Sequence, residues 1–156
     1  MDTKIKCGAN YINGRYALLE AKSRGADLPI LSNKDGFISE SSGACVFLVR
    51  NGVIKTPSLD CDILESITRD TVIKILLEHK YIVEEGLISE AELSQSDEIF
   101  LCGSAAEITP IKLLEKNNFR IGELTSFMFH EYQLAVTSKS YKDYSWTTHL
   151  GLKGNS

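Results

Sequence analysis

Residues Cys45-Val46-Phe47-Leu48-Val49-Arg50, then Asn51-Gly52, then Val53-Ile54-Lys55, form the stretch that most narrows the folds open to this chain. A continuous apolar, β-prone run without polar alternation predicts a mostly buried strand. Asn-Gly is the strongest short hairpin signal, because both residues tolerate the positive φ that a type I′ turn demands. The strand therefore returns on itself through Val53-Ile54-Lys55 and ends at Thr56-Pro57.

The flanking segments change period around this hairpin. Ile12, Tyr16, Leu19 and Ser23 fall on one stripe, with Ala17, Leu18 and Ala21 beside it, so 12–24 reads as a helix that Gly25 terminates. Leu28–Leu31, the turn Asn33-Lys34-Asp35-Gly36 and Phe37–Ser39 read as a second hairpin. A loop then leads to Ser66, and Thr68–Lys80 reads as a helix with Val72, Ile73, Leu76 and Leu77 as its apolar positions and Asp70 in its first turn. Tyr81–Glu84, Glu98–Cys102 and Ile108–Leu114 read as strands, Ser89–Gln95 as a short helix, and Leu124–Lys139 as a closing helix that buries Phe127, Met128, Leu134 and Ala135. Three main helices amid about seven short strands define a mixed α+β domain with mostly antiparallel neighbours.

At 156 residues the chain is expected to form one domain over 1–156. A net charge of −4, with lysines and arginines dispersed, argues against a nucleic-acid or anionic-membrane partner. No apolar run approaches the ~20 residues of a membrane helix, and Met1-Asp2-Thr3-Lys4 is too polar to open a signal peptide. A cytoplasmic protein is the expectation. Cys7, Cys45, Cys61 and Cys102 lie far apart, without a C-x-x-C pair or metal spacing, and read as reduced thiols packed like small hydrophobes.

Chemistry enters through four short segments in order. They are Lys6-x-x-x-Asn10-Tyr11; Asp35-Gly36-Phe37-Ile38-Ser39-Glu40-x-x-Gly43; Thr56-Pro57 with Ile63-Leu64-x-Ser66-Ile67-Thr68-Arg69; and Gly103-Ser104-Ala105-Ala106-Glu107-Ile108-Thr109-Pro110. In order and spacing they resemble the class IV pyridoxal-phosphate aminotransferases, of which the branched-chain amino acid aminotransferases are the best-known members. The resemblance spans nearly the whole chain and implies the large, cofactor-carrying domain of that fold. In it, a barrel-like sheet of mostly antiparallel strands is flanked by about three helices. It also implies a homodimer in the complete enzyme.

The resemblance assigns Lys6 as the lysine that holds pyridoxal 5′-phosphate as a Schiff base and moves a proton between the substrate Cα and the cofactor. That chemistry needs an amine active near neutral pH, whereas an ordinary lysine titrates near ~10.4; burial beside the cofactor disfavours the charged form. Glu40 matches the carboxylate that keeps the pyridine nitrogen protonated, which strengthens the electron sink. Tyr11 matches the tyrosine that reaches the ring oxygen, and Leu64 the residue packed on a ring face. Ser66, Ile67 and Thr68 open a helix whose free N–H groups would hold the phosphate. Ser104 would add its hydroxyl there, and the amides of Ser104 and Ala105 would face the substrate carboxylate. Apart from the resemblance, these residues read more plainly: a solvated lysine, a surface glutamate, a core tyrosine and leucine, an ordinary N-cap and a structural turn. His79, His130 and His149 are assigned no role.

The implied reaction exchanges amino and keto groups between a branched-chain amino acid and 2-oxoglutarate, a step of amino-acid biosynthesis. A D-amino-acid aminotransferase, the aminodeoxychorismate lyase, or a non-catalytic domain fragment are the alternatives. The stretch Lys142-Asp143-Tyr144-Ser145-Trp146 favours the branched-chain group. Two positions depart from the family: Cys45 stands where asparagine is usual, and Ser66 where a glycine usually precedes Ile-Thr. The family's small N-terminal domain is also expected to be absent, and with it part of the substrate pocket and an arginine for the phosphate.

Overall fold

The Asn51-Gly52 turn forms as its residues require, with φ at 51° and 78°. In the computed structural model, which describes residues 2–148, the order is α1 (Tyr11–Ser23), β1 (Ile30–Ser32), β2 (Ile38–Ser41), β3 (Cys45–Arg50), β4 (Val53–Pro57), α2 (Ile67–Glu78), β5 (Ile82–Gly86), α3 (Glu90–Ser94), β6 (Glu98–Gly103), β7 (Glu107–Pro110), β8 (Leu113–Leu114), β9 (Asn117–Asn118) and α4 (Glu123–Val136). The class is α+β, as expected. No helix among the described residues is long and apolar enough to cross a membrane.

β3 is the hub. It pairs antiparallel with β4 on one side and with β6 on the other, and β6 carries β7. β5 joins β4 in parallel, which requires a crossover, and α2 supplies it. β2 meets β3 only through Glu40↔Cys45, then turns away, so that Ile38 N donates to Ile88 O at 2.8 Å. The seven-stranded sheet stays open, with no ladder between β1 and β7 among the described residues. The barrel-like closure expected from the resemblance is thus corrected to a wrapped, open sheet.

Both faces of this sheet are covered, which explains the unbroken apolar run of β3. Cys45, Phe47 and Val49 join Phe100 and Cys102 beneath Val72, Ile75, Leu76, Met128 and Tyr132 of α2 and α4. Val46 and Leu48, pointing the other way, pack with Ile38, Ile88, Leu93, Ile99 and Leu101. Phe47 and Phe100, directly opposite in register, stack with centroids 5.0 Å apart. At the start of α4 the Glu98 carboxylate accepts from Thr125 N at 2.9 Å and Thr125 Oγ1 at 2.6 Å, capping a helix whose N-cap, Gly122, has no side chain. A Cβ there would sit 1.9 Å from the Glu98 Oε1, so any larger residue would displace the capping carboxylate.

α1 forms and ends at Gly25 (φ 83°), as expected, with Ala26 N on Ala21 O and Gly25 N on Lys22 O, yet it buries no residue. Its apolar stripe, Ile12, Tyr16 and Leu19, is exposed by 55%, 69% and 56%, because no other element among the described residues covers that face. In α2, the apolar position Leu77 faces out, while Ile75 is fully buried. One strand differs from the expectation. The strand expected over 108–114 ends at Pro110, and Ile111 N makes one further bond to β6, on Ile99 O at 2.9 Å. Leu113 and Leu114 instead pair with Asn118 and Asn117 in a separate small hairpin, so the strands number nine rather than seven among the described residues.

Candidate active site

Where β2 leaves β3, the sheet opens a cleft of about 170 Å³ beside the N-terminus of α2. Lys6, Tyr11, Glu40, Leu64, Ser66, Ser104 and Ala105 line it, together with Gly43, Ala44, Cys45 and Gly103. Each wall has a local cause. The N-terminal segment is held by Asn10, whose Nδ2 donates to Asp2 O at 2.9 Å and Ile5 O at 2.8 Å, bracing the loop that carries Lys6. Glu40 sits in the one register pair that ties β2 to Cys45. The Ser104–Ala105 turn follows β6, and at its root Gly103 lets the backbone of Gly43 approach, since a Cβ there would be 3.0 Å from Gly43 O.

Ile67 and Thr68 do not line the cleft with their side chains. Ile67 is 85% exposed, and Thr68 is buried. Their amides remain at the mouth of α2: Ser66 Oγ takes Arg69 N at 3.3 Å and Ser66 O takes Asp70 N at 3.0 Å, so the capping bonds begin one residue beyond them. Lys6 is exposed, so the burial its assigned chemistry needs is not supplied by the residues described here. His79 and His130 lie on or beside the helices away from the cleft, and His149 lies outside the described residues.

Electrostatics are uneven across the cleft. Burial pushes the Glu40 carboxyl above its ordinary value, partly offset by Leu64 N–H, which donates to Oε2 at 3.2 Å. Opposite, hydrogen bonding from Cys102, then from Ser66, pulls the Cys45 thiol below its ordinary value against the effect of burial. Arg69 is buried, with Nη2 donating to Pro57 O at 2.8 Å and Glu85 Oε2 at 2.6 Å, so it ties the start of α2 to the ends of β4 and β5. Neither Arg69 nor Asn10 was given a role from sequence. The signal for Arg69 was a charge in line with the inward positions Val72 and Leu76, and that for Asn10 an amide just ahead of a helix. No group of three or more His, Cys, Asp or Glu among the described residues is placed to hold a metal ion.

The corner of the open sheet thus gathers Lys6, Tyr11, Glu40, the N-terminus of α2 and the Ser104–Ala105 turn. The family profile described as amino-transferase class IV matches residues 2–114, and the chain belongs to that family. It is 38% identical over 150 residues to a probable branched-chain-amino-acid aminotransferase of Aquifex aeolicus, covering 94% of this chain and 48% of that protein. The fold superposes on the branched-chain aminotransferase of Thermobaculum terrenum in its PLP form with a TM-score of 0.94 at 37% identity, covering 97% of this chain and 51% of that one. The enzyme of Thermoproteus uzoniensis, solved with norvaline, gives 0.92 at 38% identity over 95% of this chain and 50% of that one. The chain therefore spans about half the length of the relatives it matches.

Proposed function

We propose that this chain is the cofactor-carrying half of a branched-chain amino acid aminotransferase, acting in amino-acid biosynthesis in the cytoplasm as part of a dimer that completes the site. The observation that carries the reading is convergence. Lys6, Tyr11, Glu40, Leu64, Ser66, Ser104 and Ala105 come from distant parts of the sequence and meet around one cleft.

The cleft suits pyridoxal 5′-phosphate by the chemistry of its groups. A carboxylate stands on one side, helix amides and a serine on another, and an amine at the rim. The chemistry that this group supplies when bound is an electron sink for negative charge developing at the substrate Cα. Glu40, half-buried, holds a negative charge where it would pair with a protonated ring nitrogen. The Ile67 and Thr68 amides, at the positive end of α2, would hold the phosphate, and Ser104 would add a donor. Tyr11 would offer its hydroxyl to the ring oxygen, and Leu64 would pack against the ring and exclude water. Lys6 would anchor the cofactor and hold and return the proton at the substrate Cα. The amides of Ser104 and Ala105 receive the substrate carboxylate of the amino acid or 2-oxo acid.

The test is an absorbance spectrum of the chain with added pyridoxal phosphate, against Lys6→Ala, with borohydride trapping and peptide mass analysis. The expected result is a band near the visible edge that the variant lacks, with the trapped adduct on Lys6. No band, or adducts spread over surface lysines such as Lys34 and Lys139, overturns the assignment of Lys6.

A further inference from the structure

Cys45 and Cys102 are far apart in sequence and directly opposite in the antiparallel ladder of β3 and β6. Both point to the same face of the sheet, into the cluster under α2. Residues directly opposite in such a ladder have Cα atoms about 4.5 or 5.5 Å apart, and a disulfide spans roughly 4.4–6.8 Å, so this placement meets the bond's main geometric demand. Each thiol shifts the pKa of the other, Cys102 lowering that of Cys45 and Cys45 raising that of Cys102. Both are buried, Cys45 4% exposed and Cys102 not at all, and of the two it is Cys45 that lines the cleft.

We propose that Cys45 and Cys102 form an oxidation site on the floor of the cleft, at which hydrogen peroxide converts the two thiols into a cross-strand disulfide. Cys45, as thiolate, attacks the peroxide oxygen; the O–O bond breaks, an S–O bond forms, and the leaving hydroxide takes a proton to become water. The Cys102 thiol then attacks the Cys45 sulfur. The S–O bond breaks, the S–S bond forms, and the departing hydroxide takes the Cys102 proton as a second water. Two thiols are oxidised and one peroxide is reduced.

The division of labour follows from the surroundings. Hydrogen bonding from Cys102 favours the Cys45 thiolate, and Ser66 and the Arg69 charge add to it, together outweighing burial and the nearby Glu40 charge; Cys102, donating its proton and fully buried, is held in the thiol form. A peroxide is little larger than water, and the cleft of about 170 Å³ admits it to Cys45. Closing the bond would pin β3 to β6 directly beneath Ser66 and beside Glu40. The site needs no cofactor and stands apart from the reading of the cleft proposed above.

The experiment treats the folded chain with hydrogen peroxide, then blocks remaining thiols and maps peptides without reduction. The expected result is a mass loss of two hydrogens, a single cross-link between the Cys45 and Cys102 peptides, and its reversal by dithiothreitol. In Cys102→Ser, Cys45 is left as a sulfenic acid that dimedone captures; in Cys45→Ser, Cys102 stays unmodified. Oxygen addition to the native chain without the cross-link, or a link through Cys7 or Cys61 forming as fast, overturns the proposal.

Discussion

Glu40 shows how a single side chain can work against the fold that carries it. Its carboxyl is partly buried with one amide donor, Leu64 N–H, and burial outweighs that bond, raising its pKa. A carboxyl whose folded pKa exceeds its unfolded value adds relative stability below the unfolded pKa, and that stability is lost as pH rises through the folded pKa. At neutral pH the ionised Glu40 therefore destabilises the cofactor-free chain. Glu40→Gln keeps an acceptor for Leu64 N–H and is expected to raise the thermal midpoint at pH 7, the gain fading as pH falls toward the ordinary carboxylate value of 4.5. An equal gain at every pH would show that charge is not the cause. Lys6, Glu40, Tyr11 and Ser104 were legible as candidates because their neighbours in sequence form recognisable segments. Cys45 was legible only as a departure from a family pattern, since its partner Cys102 is brought opposite by strand register.

Among the elements, α1 and α2 are near equals in length and opposite in anchorage. α2 buries Val72, Ile75 and Leu76 completely and is tied down by Arg69, while α1 buries nothing. A helix of 13 residues without a packed face is marginal in water, its stability resting on its own hydrogen bonds and the Gly25 cap. Hydrogen exchange followed by mass spectrometry is expected to show α1 amides exchanging well ahead of those in the middle of α2, which open only with the whole domain. Equal protection in the two helices would overturn this view of α1. Its periodicity told that a helix exists and where it stops. It did not tell whether the stripe is buried, because amphipathic spacing shows which face is apolar and not whether a neighbour covers it.

For the whole molecule, one sheet carries two hydrophobic clusters, so neither face can come apart without exposing the back of the other. Phe100 is fully buried and stacked on Phe47. Phe100→Ala is expected to cost about 3–5 kcal/mol and to lower the melting midpoint by on the order of 10 °C. The loss should come as a single transition seen alike by helix and aromatic signals; two separate transitions would mean that the faces fold independently. By itself the sequence determined the local elements: the central hairpin, the stop of α1 at Gly25, the cap at Ser66, and the α+β class, all set by spacings of a few residues and by turn chemistry. The tertiary structure alone decided what depends on distant partners. It left the sheet open, turned the apolar face of α1 to solvent, seated Arg69 across β4 and β5, and placed Cys45 against Cys102. The physical reason is that strand register and burial are properties of pairs of segments, and no single segment carries both halves of such a contact.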